Sequence, residues 1–108
     1  MPESRASVAA IDASPMNRLV LSARLIERAT LRYTPAGLAA LDFRLEHQSE
    51  LSEENQMRKV SLQIRAIAIG TVTQALSTLA LGDAGTFAGF LSGTRNGRGL
   101  LFHVTSLG

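Results

Sequence analysis

Between residues 17 and 29 the chain alternates in character. Leu19, Leu21, Ala23 and Leu25 fall on one side, with Arg18, Ser22, Arg24 and Ile26 in or near the opposite register. A period of two built from β-compatible residues predicts a long strand with one buried face. Thr34-Pro35-Ala36-Gly37 places proline and glycine where a type I turn favours them, and just before it come Arg28, Arg32 and Tyr33, a basic loop with one aromatic. A second strand is predicted over 38–47, with Leu41, Phe43 and Leu45 inward and Asp42, Arg44 and Glu46 outward. An acidic loop with Glu50, Glu53 and Glu54 is expected over 48–57, and a third strand over 58–69. In that strand Val60, Leu62 and Ile64 face inward, Lys59, Ser61, Gln63 and Arg65 face outward, and the end beyond Ala66 is expected to be buried on both sides.

The span 70–81 is the helix candidate, with Thr71 as its cap, Val72, Leu76 and Leu79 on one face and Gly82 at its end. Residues 85–93 and 99–107 then form a hairpin. Asn96-Gly97 has the composition of a two-residue type I′ turn, which requires positive φ at both central positions and would set Arg95 opposite Arg98. Two like charges facing each other at the tip are mildly unfavourable unless something anionic lies across them. Glycines at 85, 89 and 93 mark bulges or tight bends. Three strands, a short helix and a two-strand hairpin is the order of a five-stranded, all-β, Greek-key OB-fold barrel with the helix between strands 3 and 4. Closure also removes the two free edges that an open five-stranded sheet would leave. An SH3-like barrel is the second choice, but its strands are shorter and it has no helix at this position.

A chain of 108 residues has room for one domain. Residues 1–15 lack periodicity and are expected to be a disordered N-terminal extension, followed by the barrel over 16–108. The absence of cysteine excludes disulfide scaffolds and thiolate metal sites. No apolar run approaches transmembrane length, and Glu3 and Asp12 argue against a secretory signal, so a soluble, cytoplasmic protein is expected. Lys and Arg total 11 against 9 Asp and Glu, a small excess in which Lys59 is the one lysine and the rest are arginine, the residue best suited to bidentate phosphate contact. Arginine richness of this kind also follows from a GC-rich genome.

Catalysis is not expected. Glu46 and His47 are neighbours on a strand and point to opposite faces, so they cannot act jointly, and no glycine-rich phosphate loop or nucleophile motif is present. No cofactor and no metal are expected.

Met-Asn-Arg-Leu-Val-Leu-Ser at 16–22, Leu-Glu-His at 45–47 and Gly-Phe-Leu-Ser at 89–92 leading into Asn96-Gly97 resemble the PriB family of primosomal replication proteins, with nearly constant spacing from Met16 onward. The family consists of relatives of the bacterial single-stranded DNA-binding proteins. The resemblance implies an OB-fold homodimer that binds single-stranded DNA and restarts stalled replication forks alongside the helicase PriA and the loader protein DnaT. For a dimer, Val20 and Ile26 on the outer register of the first strand offer apolar surface to cover. An OB-fold binds a single strand through a cationic groove with aromatic platforms over its central strands and flanking loops. The expected DNA-binding residues are Arg32, Tyr33, Arg44, Arg58, Lys59, Ser61, Arg65, Arg95 and Arg98. Arg32 and Arg95 match positions where the family carries DNA-contacting basic residues, and Arg98 lies near another. Tyr33 has two readings, a stacking residue or one half-buried against the barrel end.

Two positions depart from the family pattern: Ser61 stands where the family has an exposed tryptophan, and Gln48 where it has a basic residue. Each base stack contributes about 1–3 kcal/mol, so weak, salt-dependent binding dominated by phosphate contacts is expected, with the phenylalanines mostly in the core. The acidic 48–57 segment should repel DNA locally. An OB-fold adaptor with little DNA binding of its own is the alternative. A general single-strand binder, which carries a long tail with an acidic tip, is the less expected reading because this chain ends at Gly108, just after the last strand.

Overall fold

The computed structural model describes residues 15–108, so the extension expected over 1–15 lies, Pro15 apart, outside the described residues. The elements run β1 (Leu19–Arg28), β2 (Arg32–Tyr33), β3 (Ala39–Glu53), β4 (Gln56–Ile69), α1 (Val72–Thr78), β5 (Ala84–Gly93) and β6 (Leu100–Leu107). The sheet order is β1-β5-β6-β4-β3-β2, and a further β1–β3 pairing closes it. β1 reaches both partners by using its two halves. Leu19 to Arg24 pair with β5 and Arg24 to Arg28 pair with β3, with a bulge between Leu25 and Glu27 that turns the strand. Ile26 sits in this bulge and is half-buried, whereas Val20 keeps its outward position.

The result is an all-β barrel of five long strands with one short helix, matching the OB-fold. The helix follows the fourth strand rather than the third, because Arg32–Tyr33, expected as loop, forms a two-residue strand on Ala39 and Ala40. The intervening turn forms as expected over 34–37, with the Gly37 N–H donating to the Thr34 carbonyl at 2.8 Å.

Leu25, Leu41, Phe43, Leu45, Ala66, Ala68, Phe87, Phe102 and Val104 fill the barrel, and Leu76 of α1 closes one end as part of the same cluster. Phe43 and Phe87 meet with ring centroids 6.4 Å apart and planes tilted by 39°, a geometry that aromatic pairs favour. The helix spans seven residues, shorter than the 70–81 span expected. Thr71 makes no side-chain cap; instead the Thr73 hydroxyl donates to the Gly70 carbonyl at 2.7 Å. At the other end Arg28 supplies what the helix lacks. Its guanidinium donates to the Leu76 carbonyl at 3.0 Å and to the Leu79 carbonyl, satisfying acceptors that a helix terminus leaves without intrahelical partners.

Two turns differ from expectation, and for related reasons. The 48–57 segment is not a loop: β3 and β4 stay in register from Ala40–Ile69 out to Glu53–Gln56, and the turn is Glu54-Asn55, both at positive φ. The type I′ turn of the chain is therefore here. The strand pattern disappears along this arm because it extends past the barrel, where neither face is buried and alternation has nothing to report. Val60 and Leu62, expected inward, accordingly lie half-buried and exposed, while Ala66 and Ala68 of the same register reach the core. The far end of β4 is not buried on both sides either, since Ile69 is exposed.

At the other hairpin β5 ends at Gly93 opposite Leu100, leaving a six-residue tip over 94–99. The Gly97 N–H donates to the Thr94 carbonyl at 2.8 Å and Gly97 alone in the tip has positive φ, so Asn96-Gly97 is not a type I′ pair. The Asn96 carboxamide oxygen accepts from the Arg98 N–H at 2.9 Å and from the Thr94 hydroxyl, pinning the tip from inside. Arg95 and Arg98 lie within this tip and do not face each other as a cross-strand pair.

Of the three glycines spaced by four, Gly89 is the one at a bulge, where Thr105 is the extra residue of β6. A Cβ at Gly89 would stand 1.7 Å from the His103 carbonyl oxygen. Gly89→Ala should therefore destabilise the fold by about 3 kcal/mol, the upper end for overpacking, seen as a lower urea midpoint at unchanged slope. A midpoint equal to wild type would show that β5 and β6 do not approach this closely. Arg28→Ala should lower stability by about 1.5–3 kcal/mol, the range for a hydrogen bond to a charged donor, with Arg28→Lys intermediate in the same titration.

Candidate nucleic-acid interface

Strand alternation puts Asp42, Arg44, Glu46, Gln48 and Glu50 of β3 on the outer face with Lys59, Ser61, Gln63, Arg65 and Ile67 of β4. The cross-strand pairs are Asp42–Ile67, Arg44–Arg65, Glu46–Gln63, Gln48–Ser61 and Glu50–Lys59. Arg58 belongs to the other face of the ribbon.

Among the described residues four ion pairs divide the cations into two groups. Arg32 grips Asp42 with two hydrogen bonds, at 2.8 and 3.3 Å. Arg44 bonds Glu27 at 3.1 Å, Arg24 bonds Glu46 at 2.9 Å and Arg58 bonds Glu53 at 3.1 Å. The hydrogen bond to Asp42, and then its charge, raise the Arg32 pKa above its already high ordinary value against a small opposing effect of burial, so Arg32 stays cationic at any working pH. Such exposed pairs add little to stability. Their consequence is electrostatic, because each holds a carboxylate beside a guanidinium that a phosphate would otherwise contact.

Lys59, Arg65, Arg95 and Arg98 make no ion pair with a carboxylate among the described residues. Arg65 occupies a particular place. It lines a depression shared with Arg28, Arg44 and the carboxylates Glu27 and Asp42, and a second shared with Thr94, Arg95, Asn96 and Leu101. The two depressions thus meet at Arg65 and connect the β3–β4 face to the β5–β6 tip. Lys59 and Ser61 line a separate hollow with Gln48, Glu50 and Val60, which contains no aromatic side chain. The nine expected residues therefore separate. Arg44, Arg65 and Arg95 follow one path; Lys59 and Ser61 lie further out on the same face; Arg58 is paired on the opposite face; Arg98 projects from the tip; Arg32 is held by Asp42; and Tyr33 lies beside it on β2.

Tyr33 is 67% exposed on the two-residue β2, so the half-buried reading of it does not hold. Three of the four phenylalanines are core residues, as expected, but Phe90 is 39% exposed and stacks on His103 with centroids 4.6 Å apart and planes within 9°. Its position was legible: three residues from the inward Phe87 along one strand, it must face outward.

No group of three or more histidine, cysteine, aspartate or glutamate side chains arranged to hold a metal occurs among the described residues. Nor is any described helix long and apolar enough to cross a membrane.

A small closed barrel with a cationic outer path points to the single-strand binding class, and residues 17–106 match the model of a family described as another single-strand binding protein family. A replication restart protein PriB from Bordetella pertussis is 44% identical over 74% of this chain and 75% of its own length, and one from Nitrosomonas europaea is 30% identical over 82% of each. The solved structure of PriB from Ralstonia solanacearum superposes with a TM-score of 0.79 at 34% identity, covering 87% of this chain and 97% of that one. The chain belongs to the PriB family of replication restart proteins.

Proposed function

We propose that this protein binds single-stranded DNA during replication restart, weakly and chiefly through phosphates, along the path from Arg44 through Arg65 to Arg95, and that it bridges the helicase PriA and the loader protein DnaT. The observation carrying this reading is the position of Arg65, which lacks a carboxylate partner among the described residues and joins the two depressions. The names of the relatives, replication restart proteins, support the cellular role. Lys59, Ser61, Arg98 and Tyr33 flank the path; Arg44 contacts a phosphate when DNA displaces Glu27, and Arg32 joins the path when DNA displaces Asp42. Arg58 is left outside it. The protein acts without catalysis or cofactor, in the cytoplasm, as a homodimer.

The adaptor reading, with little DNA binding, is favoured by one feature: Ser61 leaves the β3–β4 face without an aromatic platform. The two readings differ in solution. Anisotropy of a labelled oligo-dT should show affinity falling steeply with salt, by about 0.7 log units per log unit of salt for each phosphate neutralised. Arg65→Glu/Arg95→Glu should weaken binding at least tenfold and flatten that slope by about 1.4, the amount for two phosphates. Full retention of affinity in the double variant would exclude this path, and no binding by the folded wild-type protein at low salt would leave the adaptor reading.

Asp42→Asn should act in the opposite direction. With Arg32 released, oligo-dT affinity should rise several-fold and the salt slope steepen by about 0.7, measured in the same assay. An unchanged slope would mean that Arg32 does not reach the DNA.

A further inference from the structure

On the basis of the stacked Phe90–His103 pair on the outer face of β5 and β6, we propose a base-stacking site for single-stranded DNA there, which takes over the role that an aromatic at position 61 would otherwise fill. The inference rests on the DNA-binding reading above and adds to it a site away from the β3–β4 face.

Four observations place the site. Phe90 and His103 are directly opposite on the ladder, and their rings stack in parallel rather than edge to face. The imidazole is held from its far edge by the Ser92 hydroxyl, 2.9 Å from Nε2, so one member of the pair is fixed before any ligand arrives. Phe90 nevertheless keeps 39% of its surface in solvent, so its ring is open to a ligand from the outer face. Cations lie on both sides. The Leu19–Gly89 register, continued by one residue, puts Arg18 opposite Phe90, and Asn17 fastens that segment by bonding the Leu91 N–H and carbonyl at 2.9 and 2.7 Å. On the other side Leu101, the neighbour of Ser92 across the ladder, lines the depression that holds Arg65 and Arg95.

The outward positions of β5 (Ala84, Thr86, Ala88, Phe90, Ser92) and of β6 (Leu101, His103, Thr105) include no carboxylate. The surface is therefore an aromatic platform between two cationic stretches with no anion among its own side chains. That chemistry suits a nucleobase, whose π-face stacks on the ring while its flanking phosphates meet arginine. It is continuous with the Arg44–Arg65–Arg95 path, so a strand leaving that path at Leu101 passes onto Phe90.

The chain contains no tryptophan, which makes a direct test available. Phe90→Trp introduces a single tryptophan at the site. Its emission should be quenched by oligo-dT, and its affinity should equal or exceed wild type. Phe90→Leu should weaken oligo-dT binding about tenfold, the loss of one stack, while leaving binding of an abasic deoxyribose-phosphate oligomer of the same length unchanged.

Unquenched Phe90→Trp emission while labelled oligo-dT binds the same sample with Arg65-dependent affinity would overturn the stacking site and leave the DNA reading intact. Equal weakening of the dT and abasic oligomers by Phe90→Leu would overturn it too, since the loss would then not involve a base. If Phe90→Trp emission instead changes with protein concentration alone as sedimentation shows the homodimer doubling in mass, the face joins copies of this chain and the proposal falls. Absence of any oligo-dT binding by the wild-type protein would remove both readings together.

Discussion

The bend in β1 is the constraint from which the rest of the molecule follows. A flat five-stranded sheet of this length would expose two edges of unpaired backbone groups. β1 prevents this by pairing first with β5 and then, beyond its bulge, with β3. Once the barrel is closed, Leu25, Phe43, Phe87 and Phe102 share one interior, and Leu76 of α1 needs to cover only one end. Arg28, the last residue of β1, is then positioned to bind the carbonyls at the end of that helix, so its guanidinium serves the fold.

Closure also sets the electrostatics. The β1–β3 register aligns Arg24 with Glu46 and Glu27 with Arg44, and these are the residues that form ion pairs. The same backbone pairing that seals the barrel therefore neutralises part of its outer face. Arg65 lies across the ladder from Arg44, with no carboxylate opposite it on β3, and Arg95 lies in a tip that β1 never touches. The distribution of unpaired cations is a product of topology as much as of composition, which is why a net charge of +2 is compatible with a defined cationic path.

How much of this could be read from the chain itself depended on whether a segment had a buried face. β1 and the first half of β3 alternate clearly because one side meets the core, and the inward positions Leu25, Leu41, Phe43 and Leu45 are buried as expected. The outer arm of the β3–β4 hairpin does not alternate, because solvent lies on both sides, and its Glu54-Asn55 turn lacks the glycine that usually marks one. Asn96-Gly97 carried the stronger turn signal, yet the Asn96 side chain and Thr94 organise a longer tip that propensity could not foresee. At the candidate site the residue types were legible and their pairing was not. Nothing local to Arg32 or Arg58 announces Asp42 or Glu53 as a partner, since those contacts depend on strand register. Phe90 was missed for a different reason: aromatic residues in a small barrel are assigned to the core by default, and strand parity was the stronger signal.

The central claim is that single-stranded DNA follows the outer face through Arg65 and on to Arg95. Arginine Nε–Hε and backbone amide resonances, followed by NMR while oligo-dT is added at low salt, test it most directly. The account predicts that the largest shifts fall on Arg65, Arg95 and their neighbours on β4 and in the 94–99 tip, with little change at Arg58 on the opposite face. Shifts concentrated on Arg58, Leu62 and Leu51, with Arg65 unmoved, would place the strand on the other side of the hairpin and contradict it.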